Sequence, residues 1–134
     1  EKFREIDHDY VVLFAQWTHT LGASKFLYVS AMGANPASSI FYNQVKGEVE
    51  EDLKLIPFDY LGLFQPSLLL GNRKEFRFGE EVAKIVTKPM VWLKLAPKYR
   101  PIYDHQVAKA MISYALTTKS VKVEVVPSKD MQKF

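Results

Sequence analysis

The chain is expected to fold as an α/β domain with a parallel sheet flanked by helices, and three observations predict it. Two apolar runs, Phe26–Val29 and Tyr60–Phe64, lack the polar alternation of half-exposed strands and suit strands covered on both faces. Segments with apolar residues at helical spacing lie before, between and after them. Strand and helix therefore alternate along the chain, the pattern of a parallel sheet whose crossovers are helices.

Each element follows from local signals. Phe3, Ile6, Tyr10, Leu13, Phe14 and Trp17 recur at helical spacing, so residues 2–21 read as a helix that Gly22 stops. A strand follows at 25–31, ending abruptly in the small residues Ser30, Ala31 and Gly33. Open α/β sheets bind ligands at such carboxyl ends. The loop Asn35-Pro-Ala-Ser-Ser39 offers Ser38 or Ser39 as the cap of a helix at about 39–55, which ends before Pro57. Phe41, Val45, Val49 and Leu53 form its apolar stripe. The second strand, at 60–65, leads into Pro66 and Ser67 and is expected to pair parallel with the first. A helix at about 76–93 is expected to bend at Pro89, because proline removes a backbone donor. Pro97 and Pro101 bracket an irregular stretch. A last helix at about 104–118 carries Val107, Met111, Ala115 and Leu116. The run 121–125 alternates cleanly, which predicts a half-exposed strand at a sheet edge.

Composition bounds the function classes. The 134 residues carry 48% hydrophobic and 25% charged side chains, an ordinary globular balance for a single domain. A dispersed net charge of +3 with no basic stripe between aromatics argues against a nucleic-acid partner. No apolar run is long enough to cross a bilayer, so no membrane partner is expected. Residues 1–7 are too charged for a secretory signal; the absence of cysteine excludes disulfides and thiolate ligands and leaves the redox compartment undecided, with a cytoplasmic location as the default. His8, His19 and His105 are widely separated and lack metal-ligand spacing, so no metal is expected. Trp17 and Trp92 read as core or interface packing.

Tyr42 and Lys46 carry the chemistry. Four residues apart on a helix, they share a face, about 100° round from the apolar stripe. An ammonium beside a phenol favours the phenolate. That suits a tyrosine exchanging a proton with a substrate hydroxyl or carbonyl. The bland alternative is an exposed charge pair of Lys46 with Glu50, one turn on. A strand end bearing the Ser30 hydroxyl, followed by a helix bearing Tyr and Lys, is more specific than the pair alone.

The run Phe26-Leu-Tyr-Val-Ser-Ala-Met-Gly-Ala-Asn-Pro-Ala-Ser-Ser-Ile-Phe-Tyr-Asn-Gln-Val-Lys-Gly-Glu-Val-Glu50 resembles the atypical short-chain dehydrogenases/reductases, NAD(P)-binding Rossmann proteins. Within them it is most similar to the small bacterial nucleoside-diphosphate-sugar epimerase-like proteins and the Tat-interacting oxidoreductase-like proteins. Gln65-Pro-Ser-Leu-Leu-Leu-Gly-Asn-Arg-Lys-Glu-Phe-Arg-Phe-Gly-Glu80 and Tyr99-Arg-Pro-Ile-Tyr-Asp-His-Gln-Val-Ala-Lys-Ala-Met111 extend the likeness over nearly the whole chain. The resemblance implies the second half of a Rossmann-like parallel sheet. The amino-terminal glycine-rich βαβ unit, which seats a pyrophosphate, is not in the sequence. A carboxyl-terminal part of a longer protein is therefore expected.

The resemblance also implies an NAD(P)-dependent oxidoreductase or epimerase-like protein with NADP or NAD as cofactor. Its substrate would be a small carbonyl or alcohol, and a homodimer is one form it could take. Tyr42 would be the general acid and base, Lys46 would hold the nicotinamide ribose, and Pro66 and Ser67 would border the nicotinamide. Relatives often carry two consecutive hydroxyl residues at the first strand end, commonly using the second. Here that second position is Ala31. Either Ser30 substitutes, or Ser38 or Ser39 does, or the triad is incomplete. Relatives usually have arginine where Gln65 stands. Both departures favour a rival reading, a catalytically idle NAD(P)-binding regulatory or interaction protein of the same fold; a remnant that binds no cofactor is a third. Arg73, Lys74 and Arg77 form a basic group that could meet a phosphate or carboxylate, or simply a solvated helix start.

Overall fold

The computed structural model describes residues 2–71, 98–117 and 120–134. The first helix, α1, runs through Lys2–Arg4, a π-helical turn at Glu5–Asp9, and Tyr10–Thr20. Gly22 stops it at φ 101°. Strand β1 (Lys25–Val29), helix α2 (Phe41–Lys54) and strand β2 (Tyr60–Gln65) follow, then the short strands β3 (Leu69–Leu70) and β4 (Ile102–Tyr103). Helix α3 (Asp104–Leu116), strand β5 (Val123–Pro127) and a short helix α4 (Ser128–Met131) complete the described chain.

The main sheet has the order β1-β2-β5 and is parallel throughout. Lys25 faces Tyr60 and Val29 faces Phe64; Leu61 faces Val123 and Gln65 faces Pro127. The expected α/β fold with a parallel sheet is therefore what the chain adopts, and β1 and β2 are adjacent and parallel across α2. Tyr60 to Phe64 are all buried, as befits a central strand. One face of the sheet packs Tyr28, Leu61 and Leu63 against Ala15 of α1 and Val49 and Leu53 of α2. The other packs Phe64 and Val126 against Val107 and Ala110 of α3 and Met131 of α4.

Several details could not be read from the sequence, and some expectations need correction. Most large apolar residues of α1 are exposed, Trp17 among them, so Trp17 is not core packing. Ala15 is fully buried while Tyr10, Phe14 and Trp17 are 53%, 58% and 62% exposed. The small residue lies nearest the sheet and lets the helix approach it; the bulky stripe points away. On α2 the stripe holds, with Val45, Val49 and Leu53 fully buried, but Phe41 is 46% exposed and packs on Phe3 of α1. Neither Ser38 nor Ser39 caps α2. Its N-cap is Ile40, and the Ser38 hydroxyl accepts the Ile40 N–H, one residue early.

The stretch 98–101 is turn and coil, as expected of a segment bracketed by prolines, and beyond it Ile102–Tyr103 pairs with Leu69–Leu70 in a small parallel sheet. The strand expected at 121–125 lies two residues later. It is a sheet edge among the described residues, with Val123 and Val125 exposed and Val126 buried. The helix expected at 76–93, with Pro89, Arg73, Lys74, Arg77 and Trp92, lies outside the described residues.

Candidate functional site

The site is built where β1 and β2 end. The Ser30 N–H donates to the Phe64 carbonyl at 2.7 Å and the Met32 N–H to the Pro66 carbonyl at 3.0 Å. The two strand ends thus stay laced beyond β1, with Pro66 beside the segment that follows Ser30. The chain then turns at Gly33, φ 86°, a conformation that favours glycine. The Asn35 N–H donates to the Asn43 carbonyl at 3.0 Å, tying the loop to the first turn of α2. At Gly47 a Cβ would lie 2.4 Å from Asn35 C and Pro36 N. The missing side chain lets α2 press against the loop, bringing its Tyr42–Lys46 face to the strand end.

Lys46 reaches across to β1. Its Nζ donates to the Tyr28 hydroxyl at 3.2 Å and to the Val29 carbonyl at 3.4 Å, the peptide unit just before Ser30. It lies 5.1 Å from the Tyr28 ring centroid and 5.7 Å from that of Tyr42, within range of cation–π attraction to both. The ammonium is therefore placed between two phenols. Glu50, the bland partner, is itself buried, and its carboxylate accepts the Gln65 side-chain amide at 2.8 Å. Gln65 thus serves a buried hydrogen bond to α2. Tyr42 is half-buried, its ring 6.0 Å from that of Phe3.

Burial pushes the Tyr28 phenol well above the usual tyrosine range, and negative charge on Tyr42, Asp7 and Glu50 adds to the shift. Desolvation penalises the charged form, so burial favours the neutral Tyr28 phenol. Tyr42 is the less buried of the two phenols at Lys46.

Ser30 is 3% exposed, and its hydroxyl is the buried side-chain polar atom without a hydrogen-bond partner among the described residues. Such an orphan is uncommon in folded proteins. The ladder bond from the Ser30 N–H continues the pleat, so alternation puts Phe26, Tyr28 and Ser30 on the α2 face. Ser30 and the Lys46 ammonium are thus brought to the same strand end. Together they place an ammonium donor and an unsatisfied buried hydroxyl at one strand end. Ser67 is differently engaged. Its hydroxyl donates to the Arg100 carbonyl and accepts from the Ser128 hydroxyl at 3.1 Å.

The histidines sit apart. His8 bridges Asp9 and Asp52, both at 2.7 Å. His19 contacts the Pro57 carbonyl at 3.1 Å, and His105 stacks on Tyr103. Among the described residues no group of three His, Asp or Glu side chains could hold a metal ion. Sequence reasoning missed Tyr28. The signal was available, because on β1 it is two residues before Ser30 and shares its face.

The fold and site define an α/β protein with a parallel sheet, consistent with part of a Rossmann-like fold, and a Tyr/Lys helix at the sheet's carboxyl end. No protein-family model matches the chain. It is 42% identical to Protein HTATIP2 of Rattus norvegicus over 82 residues, 61% of this chain and 34% of that protein. It is 31% identical to the mitochondrial Protein FMP52 of Saccharomyces cerevisiae over 136 residues, 98% of this chain and 59% of that protein. Against FMP52 of Candida albicans the identity is 33% over 86% of this chain and 51% of the relative. The chain spans between about a third and three-fifths of the length of these relatives. The fungal FMP52 proteins are named mitochondrial. That overturns the cytoplasmic location taken as the default: neither cysteine usage nor the absence of a secretory signal reports targeting to an organelle.

Proposed function

We propose that this chain is the catalytic part of an NAD(P)-dependent oxidoreductase or epimerase-like protein of the atypical short-chain dehydrogenase/reductase type. The observation that carries the reading is the Lys46 ammonium, held between Tyr28 and Tyr42 at the carboxyl end of a parallel sheet. In carbonyl reduction the Tyr42 hydroxyl gives its proton to the substrate oxygen, and Lys46 stabilises the phenolate left behind. In alcohol oxidation the same phenolate takes the proton back. NADP or NAD, when bound, supplies or accepts the hydride. Lys46 would hold the nicotinamide ribose, Pro66 and Ser67 would border the ring, and Ser30 would orient a small carbonyl or alcohol substrate. The similarity to HTATIP2 and FMP52 supports the same class, and the FMP52 names extend the proposal to a mitochondrial location.

The test is kinetic and uses the full-length protein. General acid catalysis contributes about 10²- to 10⁴-fold, so Tyr42→Phe should lower NADPH-dependent reduction of a carbonyl panel by that order. NADPH affinity should change little. Lys46→Met should weaken both turnover and NADPH binding. One observation favours the rival reading of an idle NAD(P)-binding regulatory protein. Gln65, where relatives usually carry arginine, is committed to the buried Glu50. A wild type that binds NADPH tightly and reduces nothing would decide for that rival. Failure to bind any nicotinamide nucleotide would defeat both readings.

A further inference from the structure

We propose that Tyr28 is a positioning residue of this site: its hydroxyl anchors the Lys46 ammonium to β1, so that the charge lies against Tyr42 instead of extending into water. The inference rests on the Tyr42–Lys46 reading above and adds the group that makes it work. A lysine ammonium is a strongly hydrated point charge on a flexible four-carbon stem. Left alone on a helix flank, it would sample many rotamers and spend most of its time solvated.

Here two acceptors from one strand hold it, the Tyr28 hydroxyl at 3.2 Å and the Val29 carbonyl at 3.4 Å. The Tyr28 ring is itself fixed, because it packs in the core cluster with Ala15, Val49 and Leu63. The anchor therefore cannot follow the lysine outward. Burial also keeps this phenol neutral, so it accepts the ammonium's hydrogen bond without competing with Tyr42 as the group that ionises. The division of labour between two tyrosines is set by depth: the buried one holds, the half-buried one exchanges protons.

The test reads Tyr42 directly, without turnover. Full-length protein carrying tyrosine labelled with carbon-13 at Cζ is titrated by NMR, the Tyr42 signal being assigned by its loss in Tyr42→Phe. Tyr28→Phe keeps the ring, its packing and its cation–π contact, and removes only the hydroxyl. Its Tyr42 midpoint should rise by about one pH unit. Lys46→Met should raise the midpoint at least as far. Adding Tyr28→Phe to Lys46→Met should then change nothing more, because the hydroxyl acts through the lysine. Tyr28→Leu, which loses the hydroxyl in a different packing, should reproduce the rise.

The proposal is overturned if Lys46→Met moves the midpoint and Tyr28→Phe does not. It is equally overturned if Tyr28→Phe moves it as far without Lys46 as with it, which would mark a purely structural role. If neither Lys46→Met nor Tyr28→Phe moves the midpoint, the Tyr42–Lys46 reading falls as well, which separates that failure from the other two.

Discussion

At Gly47 the backbone of α2 approaches the Asn35–Pro36 peptide so closely that an added Cβ would lie 2.4 Å from two of its atoms. Both are backbone, so no side chain can swing aside to relieve the overlap. Gly47→Ala should therefore force the helix and loop apart, although alanine is the better helix former. Overpacking of this kind costs about 1 to 3 kcal/mol, to be read as a lower denaturant midpoint. The same displacement would move Tyr42 and Lys46 away from β1, so the Tyr42 midpoint should shift upward in this variant too. Neither consequence is visible in the sequence, where a glycine inside a helix reads as a weak point. The Tyr42–Lys46 pair and Ser30 were legible, because spacing and strand ends are local. Tyr28 was within reach of the same reasoning. The Glu50–Gln65 bond was not, since it joins a helix to a strand through space.

Among elements, α1 and α2 are joined by charge as well as by packing. Arg4 pairs with Glu48, and His8, in the π-helical turn, bridges Asp9 and Asp52. Burial alone would lower the His8 pKa, but the hydrogen bonds and charges of Asp9 and Asp52 outweigh it and raise the value above 6.5. A raised folded value means that the protonated form stabilises the fold. The contribution is complete below about pH 6.5 and is lost as pH climbs through the folded value. The gap in urea midpoint between wild type and His8→Gln should thus be wider at about pH 5.5 than at about pH 8.5. An equal gap at both would mean that the bridge is only geometric. Element types and order were readable from periodicity, whereas ends slipped where hydrogen bonds decide them. Ile40 takes the N-cap because Ser38 spends its hydroxyl one residue too early. The two-residue strands β3 and β4 are too short for any periodicity to reveal.

For the whole molecule, an exposed residue of α1 and a buried residue of α2 make opposite predictions. Trp17 is 62% exposed and Leu53 fully buried. Trp17→Ser should change the stability of this chain by no more than about 0.5 kcal/mol, while Leu53→Ala should cost about 2 to 5 kcal/mol. A large loss from Trp17→Ser would show that its ring is covered in solution. The apolar spacing of α1 announced a helix correctly but did not say which residue faces the sheet, because hydrophobic residues need not all be inside and a helix can press its smallest residue, here Ala15, against a sheet. The parallel sheet carries a different consequence. β2 lies between β1 and β5, and its partners lie at very different distances along the sequence: β1 across the adjoining helix α2, β5 far downstream. Pairings between residues remote in sequence must close long loops before any contact rewards them, and they form slowly. During synthesis the β1–α2–β2 unit can assemble early, with one flank of β2 bare until Val123–Pro127 arrives. Through that interval the nascent chain exposes an unpaired, apolar strand edge, the kind of surface that invites pairing with another chain.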